Sequence, residues 1–229
     1  MSATDSPPGD AAPRESLVVQ LGRARVVAVV TVDDVASVAP LAASLTAGGI
    51  SVVELALRTP AALAALREFR AAAPRVLLGA GTVLLPEQAD AARVAGADFA
   101  LAPGWDVETA RHCGAIGLPF IPGVATASDI QAALREGFRL LKWFPAEPLG
   151  GVRGLRALAA PFAHLGVRYL PLGGIDEVKA PAYLAEPAVA AVGGSWIAPA
   201  ELIRAREWDA ISSRAAAAVA LAGGAATLA

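Results

Sequence analysis

The chain predicts an α/β fold that closes as a single (β/α)8 TIM barrel, and three observations carry that expectation. Short apolar runs rich in β-formers alternate with longer Ala-rich stretches of helical period; the alternation repeats eight times; and the runs are near-continuous rather than alternating apolar with polar. Continuous apolar strands belong to parallel sheets covered by helices, and eight βα units usually close into a barrel. The alternative, an open doubly wound sheet, would need a glycine fingerprint in its first strand-to-helix turn, and none follows Val32. A length of 229 residues suits one barrel without a second domain.

In chain order, residues 1–14 read as a disordered tail and residues 15–229 as the barrel domain. The tail is rich in Pro, Ser, Ala and acid, with neither the basic start nor the apolar centre of a secretory signal. A short helix over Glu15 to Gly22 follows. The strand expectations are VVAVVTV from Val26, SVVELAL from Ser51, RVLLGAG from Arg75, ADFALAP from Ala97, LPFIPG from Leu118, FRLLKWF from Phe138, VRYLPLGG from Val167 and AVAAVGGS from Ala188. Helix starts are marked by Asp33 or Asp34, by Thr59 with Pro60, by Pro86 then Glu87, by Asp106, by Thr126 or Ser128, and by Asp176. Gly48 and Gly49, Gly96, Gly114 and Gly137 stand where helices end, because glycine accepts the left-handed conformation that terminates them.

Composition narrows the function classes. Apolar residues make up 55% of the chain and charged ones 17%, which excludes a disordered protein. A formal charge of -2 supplies no basic field for nucleic acid. The longest uncharged run, Val35 to Val53, is broken by Ser37, Pro40, Ser44, Thr46, Gly48, Gly49 and Ser51, so no membrane span is expected and the protein is placed in the cytoplasm. A lone cysteine, Cys113, and two distant histidines, His112 and His164, form neither a disulfide nor a metal motif; no metal and no cofactor are expected. Cys113 reads as a small core residue, and the histidines read as surface or capping residues.

The unusual residues gather at the C-terminal ends of the apolar runs, the rim where barrels carry their chemistry. Glu54 and Arg58 end the second run, Gly79 to Thr82 the third, Pro103 and Gly104 the fourth, and Pro122 and Gly123 the fifth. Lys142 to Glu147 end the sixth, Gly173 and Gly174 the seventh, and Gly193 to Ser195 the eighth.

Lysine usage is the sharpest clue. Seventeen arginines stand against two lysines, Lys142 and Lys179, so arginine serves wherever a generic cation suffices. Lys142, between Leu141 and Trp143, is either a paired buried cation or a nucleophile, and only the amine forms an imine with a ketone. Glu54, alone in a strand suited to burial, needs a cationic or polar partner, and pleat parity puts Arg58 on its face. One reading is a Glu54, Arg58, Lys142 ion cluster; the other makes Lys142 the nucleophile, Glu54 the acid/base and Arg58 a carboxylate clamp. The Gly-Gly pairs at the ends of the last two runs, with Ser195 beside them, are turns or a backbone cradle for phosphate. Lys179, after Asp176 and Glu177, reads as solvated.

With these residues in view, the chain resembles the class I 2-keto-3-deoxy-6-phosphogluconate (KDPG) and 4-hydroxy-2-oxoglutarate (KHG) aldolases of the Entner-Doudoroff type. The resemblance rests on VVELALRT, LLGAGTVLLPEQ, FALAPGWD, PFIPGVATASD, LLKWFPAEPLGGV, PLGGI and VGGSWIAP, which span nearly everything beyond the tail. It implies a TIM barrel, a homotrimer, and cleavage of KDPG to pyruvate and glyceraldehyde 3-phosphate. It makes Lys142 the imine-forming residue and Glu54 the acid/base acting through a water. Arg58 and Thr82 would contact the pyruvate half, Phe144 and Pro103 would line the pocket, and Gly173, Gly174, Gly194 and Ser195 would hold the phosphate. Many members carry threonine just before the first Gly-Gly where this chain has Leu172, which leaves open the C4 epimer, 2-keto-3-deoxy-6-phosphogalactonate, or KHG as the preferred substrate. A non-catalytic phosphosugar-binding barrel, with Lys142 only pairing a ligand carboxylate, is the rival of another class.

Overall fold

The computed structural model describes the backbone of residues 11–226 and the side chains of residues 17–223. Each apolar run yields a strand, and the elements alternate along the chain. Helix α1 (Ala11–Ala24) is followed by β1 (Val26–Val30), a 3-10 turn, α2 (Val38–Ala47), β2 (Val52–Ala56), α3 (Ala62–Ala72), β3 (Leu77–Gly81) and α4 (Pro86–Val94). Then come β4 (Phe99–Leu101), α5 (Val107–Ala115), β5 (Phe120–Ile121), β6 (Gly123–Val124), α6 (Ala127–Arg135), β7 (Leu140–Trp143) and α7 (Gly151–Ala159). Last are β8 (Arg168–Pro171), α8 (Ala180–Leu184), β9 (Val192–Gly194), α9 (Ala200–Ala205) and α10 (Trp208–Ala226).

The fold is α/β with parallel pairing throughout, but the ladder is not the single eight-membered ring that the run count predicts. Six strands pair in the order β5-β4-β3-β2-β1-β9 and three in the order β6-β7-β8. The fifth run is split because Pro122 has no N–H to donate. Below the proline Leu101 pairs with Ile121, and above it Gly123 pairs with Lys142. Pro122 itself contributes only its carbonyl, which accepts from the Lys142 N–H at 2.8 Å. On the other side the two sheets meet at one parallel bridge, Tyr169 with Val189, where the Tyr169 N–H donates to Ala188 at 2.8 Å and its carbonyl accepts from Ala190 at 2.9 Å.

Strand parity sorts the side chains into two cores. Inner positions Val27, Val52, Phe99, Leu101, Ile121, Leu140 and Leu170 form one buried cluster drawn from both sheets, and Leu17 and Leu21 of α1 join it. Their neighbours Ala28, Val53, Leu55, Ala100, Leu141 and Trp143 face outward into the layer under the helices. The outer layer fixes each strand's rotation, and so decides which residues the inner face presents.

Several expected boundaries move. α1 begins at Ala11 rather than Glu15, and the first ten residues of the expected tail lie outside the described residues. Thr59 does not cap α3, which starts at Ala62, because its hydroxyl donates to the Val32 carbonyl at 2.6 Å instead. The helix after β4 is ended by left-handed Gly117 rather than Gly114, one turn having been added. Asp106 and Thr126 cap α5 and α6 as expected, accepting from the N–H of Thr109 and Asp129. Among the described residues no helix is long and apolar enough to cross a membrane.

Candidate active site

The inner face of β2 carries Val52 and then Glu54, and that of β7 carries Leu140 and then Lys142. The same alternation therefore delivers a carboxylate and an amine to one level of the interior. Lys142 Nζ donates to Glu54 Oε1 at 2.9 Å, and both side chains are almost wholly buried. The second carboxylate oxygen, Glu54 Oε2, is buried with no hydrogen-bond partner among the described residues. A buried anionic oxygen without a protein partner is costly, and a water, an ion or a reacting group is what such an atom can meet.

Room for this pair comes from β3. Its inward positions are Gly79 and Gly81, and a Cβ on Gly81 would lie 2.2 Å from Glu54 Oε1. A Cβ on Gly79 would run into the Phe99 ring at 2.5 Å. In the sequence these glycines mark only the end of a strand; in the fold they vacate the volume that Glu54 and Phe99 occupy. Register could have revealed it, since Glu54 pairs with Gly79 and Ala56 with Gly81.

Phe144 places its ring 5.3 Å from Lys142 Nζ, while Trp143 turns outward against Tyr183. Pro103 lies at the same rim, where its backbone packs so closely on Gly123 that a Cβ there would be 2.2 Å from the Pro103 carbonyl carbon. Arg58 stands beyond the end of β2, exposed, and its Nε donates to Thr82 Oγ1 at 3.0 Å. The three-membered ion cluster with Glu54 therefore does not form. Arg58 leaves the pleat after Ala56, and its guanidinium reaches the rim rather than the interior. Thr82 holds a left-handed backbone at φ 62°, a conformation uncommon for threonine that surrounding structure has to impose.

The two Gly-Gly segments meet at the ends of β8 and β9. A Cβ on Gly194 would sit 2.0 Å from the Trp196 ring and 3.2 Å from the Ile175 carbonyl, so the loops after β8 and β9 touch through bare backbone. Among the described residues the N–H groups of Gly173, Gly174, Ile175, Ser195 and Trp196 donate to nothing. Gly173 and Gly174 adopt φ 99° and 80°, which only glycine enters freely. A run of free N–H groups at a glycine concavity is the physical form of an anion cradle. Leu172, just before it, is buried against Gly193 and in the inner cluster that Phe144 borders.

Contacts from neighbouring segments brace this side. The N–H groups of Ala146 and Glu147 donate to the carbonyls of Leu172 and Gly173 at 2.7 and 3.0 Å, tying the segment after Lys142 to the first Gly-Gly loop. Tyr183 Oη donates to Glu147 Oε1 at 2.7 Å, and burial together with that carboxylate raises the phenol's pKa. Lys179 is engaged rather than merely solvated: Nζ donates to the Gly174 carbonyl at 2.9 Å and to Asp176 Oδ2 at 2.8 Å. Away from the site, burial pushes the Cys113 thiol up to about 12, leaving it inert, and His112 Nε2 lies 3.0 Å from Asp90 on the surface.

Residues 18–214 match the family model for KDPG and KHG aldolases. A Treponema pallidum protein named 2-dehydro-3-deoxy-phosphogluconate aldolase is 44% identical over 84% of this chain and 91% of its own length. The KHG/KDPG aldolase of Escherichia coli K12 is 39% identical over 85% of this chain and 90% of its own. The KDPG aldolase of Legionella pneumophila, solved with pyruvate captured as a covalent carbinolamine intermediate, superposes with a TM-score of 0.84 at 38% identity, covering 88% of this chain and 97% of that one. With these matches over nearly its whole length, the chain, which brings a buried amine and carboxylate into contact, belongs to the KDPG and KHG aldolase family.

Proposed function

We propose that this protein is a class I aldolase, an aldehyde-lyase that cleaves KDPG to pyruvate and glyceraldehyde 3-phosphate through an imine on Lys142. The observation that carries the reading is the buried 2.9 Å contact between Lys142 Nζ and Glu54 Oε1, with Glu54 Oε2 unpaired beside it. Proton transfer along that hydrogen bond leaves a neutral amine, which attacks the C2 ketone; Glu54 then returns the proton to the carbinolamine hydroxyl, which leaves as water and gives a protonated imine and a free carboxylate. Glu54, directly or through one water, takes the C4 hydroxyl proton. The C3–C4 bond then breaks, its electrons pass into the imine to form an enamine, and glyceraldehyde 3-phosphate leaves. Protonation at C3 gives the pyruvate imine, and hydrolysis returns the amine. The imine is the electron sink, so the chemistry calls for no metal and no cofactor.

Arg58 and Thr82 clamp the pyruvate carboxylate, an assignment supported by their direct hydrogen bond on the rim. Phe144 and Pro103 wall the pocket. Gly173, Gly174, Gly194 and Ser195 hold the phosphate through the free N–H groups around them. Behind the site, the two sheets act as one (β/α)8 barrel with β5 and β6 as halves of a single strand, a reading supported by the Tyr169 and Val189 seam and by the inner core common to both sheets. A homotrimer in the cytoplasm completes it, with the exposed Leu84, Leu85 and Val107 offering apolar area for contact between copies; light scattering should return three chain masses.

A second substrate reading follows from Leu172. An apolar wall beside the cradle offers no hydrogen bond to a substrate hydroxyl, so the C4 epimer and KHG are accepted alongside KDPG. Incubation with pyruvate and borohydride tests the chemistry: a stable mass increase mapped to Lys142 is expected. No adduct in a folded sample would make Lys142 a structural cation and leave a phosphosugar-binding barrel.

A further inference from the structure

The second of the chain's two lysines stands at the cradle. Lys179 Nζ faces three oxygens from two loops: the Gly174 carbonyl at 2.9 Å, Asp176 Oδ2 at 2.8 Å and Glu147 Oε2 at 3.8 Å. A compact ammonium can aim separate tetrahedral donors at the Gly174 carbonyl and Asp176 while sharing its charge with the more distant Glu147 carboxylate, whereas a guanidinium fork holds its donors in one plane. That is a physical reason for lysine here in a sequence that otherwise uses arginine. The Asp176 hydrogen bond raises the ammonium's pKa and lowers that of Asp176, so both stay charged through neutral pH. Glu147 is held from its other side by Tyr183 and packs against Gly174, where a Cβ would meet its own Cβ at 2.8 Å.

The consequence lies in the Gly174 to Ile175 peptide. Its carbonyl and its N–H point in opposite directions in one rigid plane, so fixing the first aims the second. Gly174 sits at φ 80° and, as a glycine, has soft torsions on both sides; nothing else among the described residues donates to its carbonyl. We propose that Lys179 is a positioning residue for phosphate binding: by pinning the Gly174 carbonyl to the Asp176 and Glu147 carboxylates it aims the free Ile175 N–H at the substrate phosphate. This rests on reading the two Gly-Gly loops as the phosphate cradle. The ammonium acts through the peptide, its own charge being spent on Asp176 and Glu147.

The test uses the full-length enzyme and separates the two readings. Inorganic phosphate should compete with KDPG in the wild type; if it does not, the cradle reading falls and the proposal falls with it. Given competition, Lys179→Met should lower the ratio of kcat/KM for KDPG to that for phosphate-free KHG about tenfold, mostly through KM for KDPG, and weaken phosphate inhibition in parallel. An unchanged ratio overturns the role of Lys179 while leaving the cradle intact. Lys179→Arg should recover only part of the loss, and full recovery would overturn the pinning argument in favour of bulk charge. If the methionine variant does not fold, Glu147→Gln, which still accepts from Tyr183, should shift the same ratio in the same direction by a smaller factor; no shift there overturns the proposal.

Discussion

Lys142 and Glu54, 88 residues apart in the chain, share a 2.9 Å hydrogen bond in the interior. They come from strands in different sheets, β7 and β2, so neither local propensity nor strand pairing brings them together. The contact exists because two inner faces look at each other across one core. Removing either partner would leave a buried charge without compensation, and the proposed reaction uses them as a unit.

Lys142→Arg retains a cation able to pair with Glu54 but cannot form the imine. Cleavage of KDPG should be lost to background, and borohydride with pyruvate should add no mass. Substantial residual turnover in a coupled assay for glyceraldehyde 3-phosphate would sink the mechanism.

Glu54→Gln keeps shape and a hydrogen-bond acceptor for Lys142 while removing the base. Turnover should fall by about 10²- to 10⁴-fold, with the pyruvate imine still forming slowly. If circular dichroism instead shows an unfolded chain, the pair is structural before it is catalytic.

Gly81→Ala tests whether β3 is shaped for Glu54. The new methyl would meet Oε1 at 2.2 Å, and the flexible carboxylate should yield before the strand does. We expect destabilisation of about 1–3 kcal/mol, read from urea unfolding, and a loss of kcat of about a hundredfold from the displaced carboxylate. Activity at the wild-type level would show that Glu54 can work from another rotamer.

Leu172→Thr introduces a hydroxyl beside the cradle. The wild type should cleave KDPG and its C4 epimer at comparable rates, and the variant should favour one epimer by about tenfold or more. Equal discrimination in both proteins would place the substrate's C4 hydroxyl elsewhere.

Asp106 offers a pH-dependent stability test remote from the chemistry. Hydrogen bonds from Thr109 hold its carboxyl below the ordinary carboxylate range. A depressed folded-state pKa contributes stability that is present above the unfolded value and lost as pH falls through the folded one. Asp106→Ala should therefore cost about 1 kcal/mol at neutral pH, and the deficit should shrink under acid. A deficit independent of pH in parallel denaturation curves would contradict the cap.

The alternation of runs, the caps at Asp106 and Thr126, and the burial of Glu54 and Lys142 within apolar runs were legible in the chain, because each depends on local pattern or on one side chain's affinity for nearby backbone. The strand break at Pro122 was legible in principle, since a missing N–H is a property of the residue, but the pattern of apolar residues ran through it. Arg58 was misplaced because parity was carried past the strand's last residue. Gly81 and Lys179 were misread for a different reason: the function of each lies in what a distant segment puts against it.

Order along the chain was enough to mark the candidates: a lysine inside an apolar run of a chain that otherwise favours arginine, an isolated carboxylate, and two glycine pairs, each at the end of an apolar run. It could not say which of these would touch. The meeting of Lys142 with Glu54, the hollow left by Gly81 and the three oxygens around Lys179 are distances between segments far apart in sequence. Such distances arise only when the outer helices lock the rotation of every strand and a close-packed interior leaves each inner side chain a single place to go.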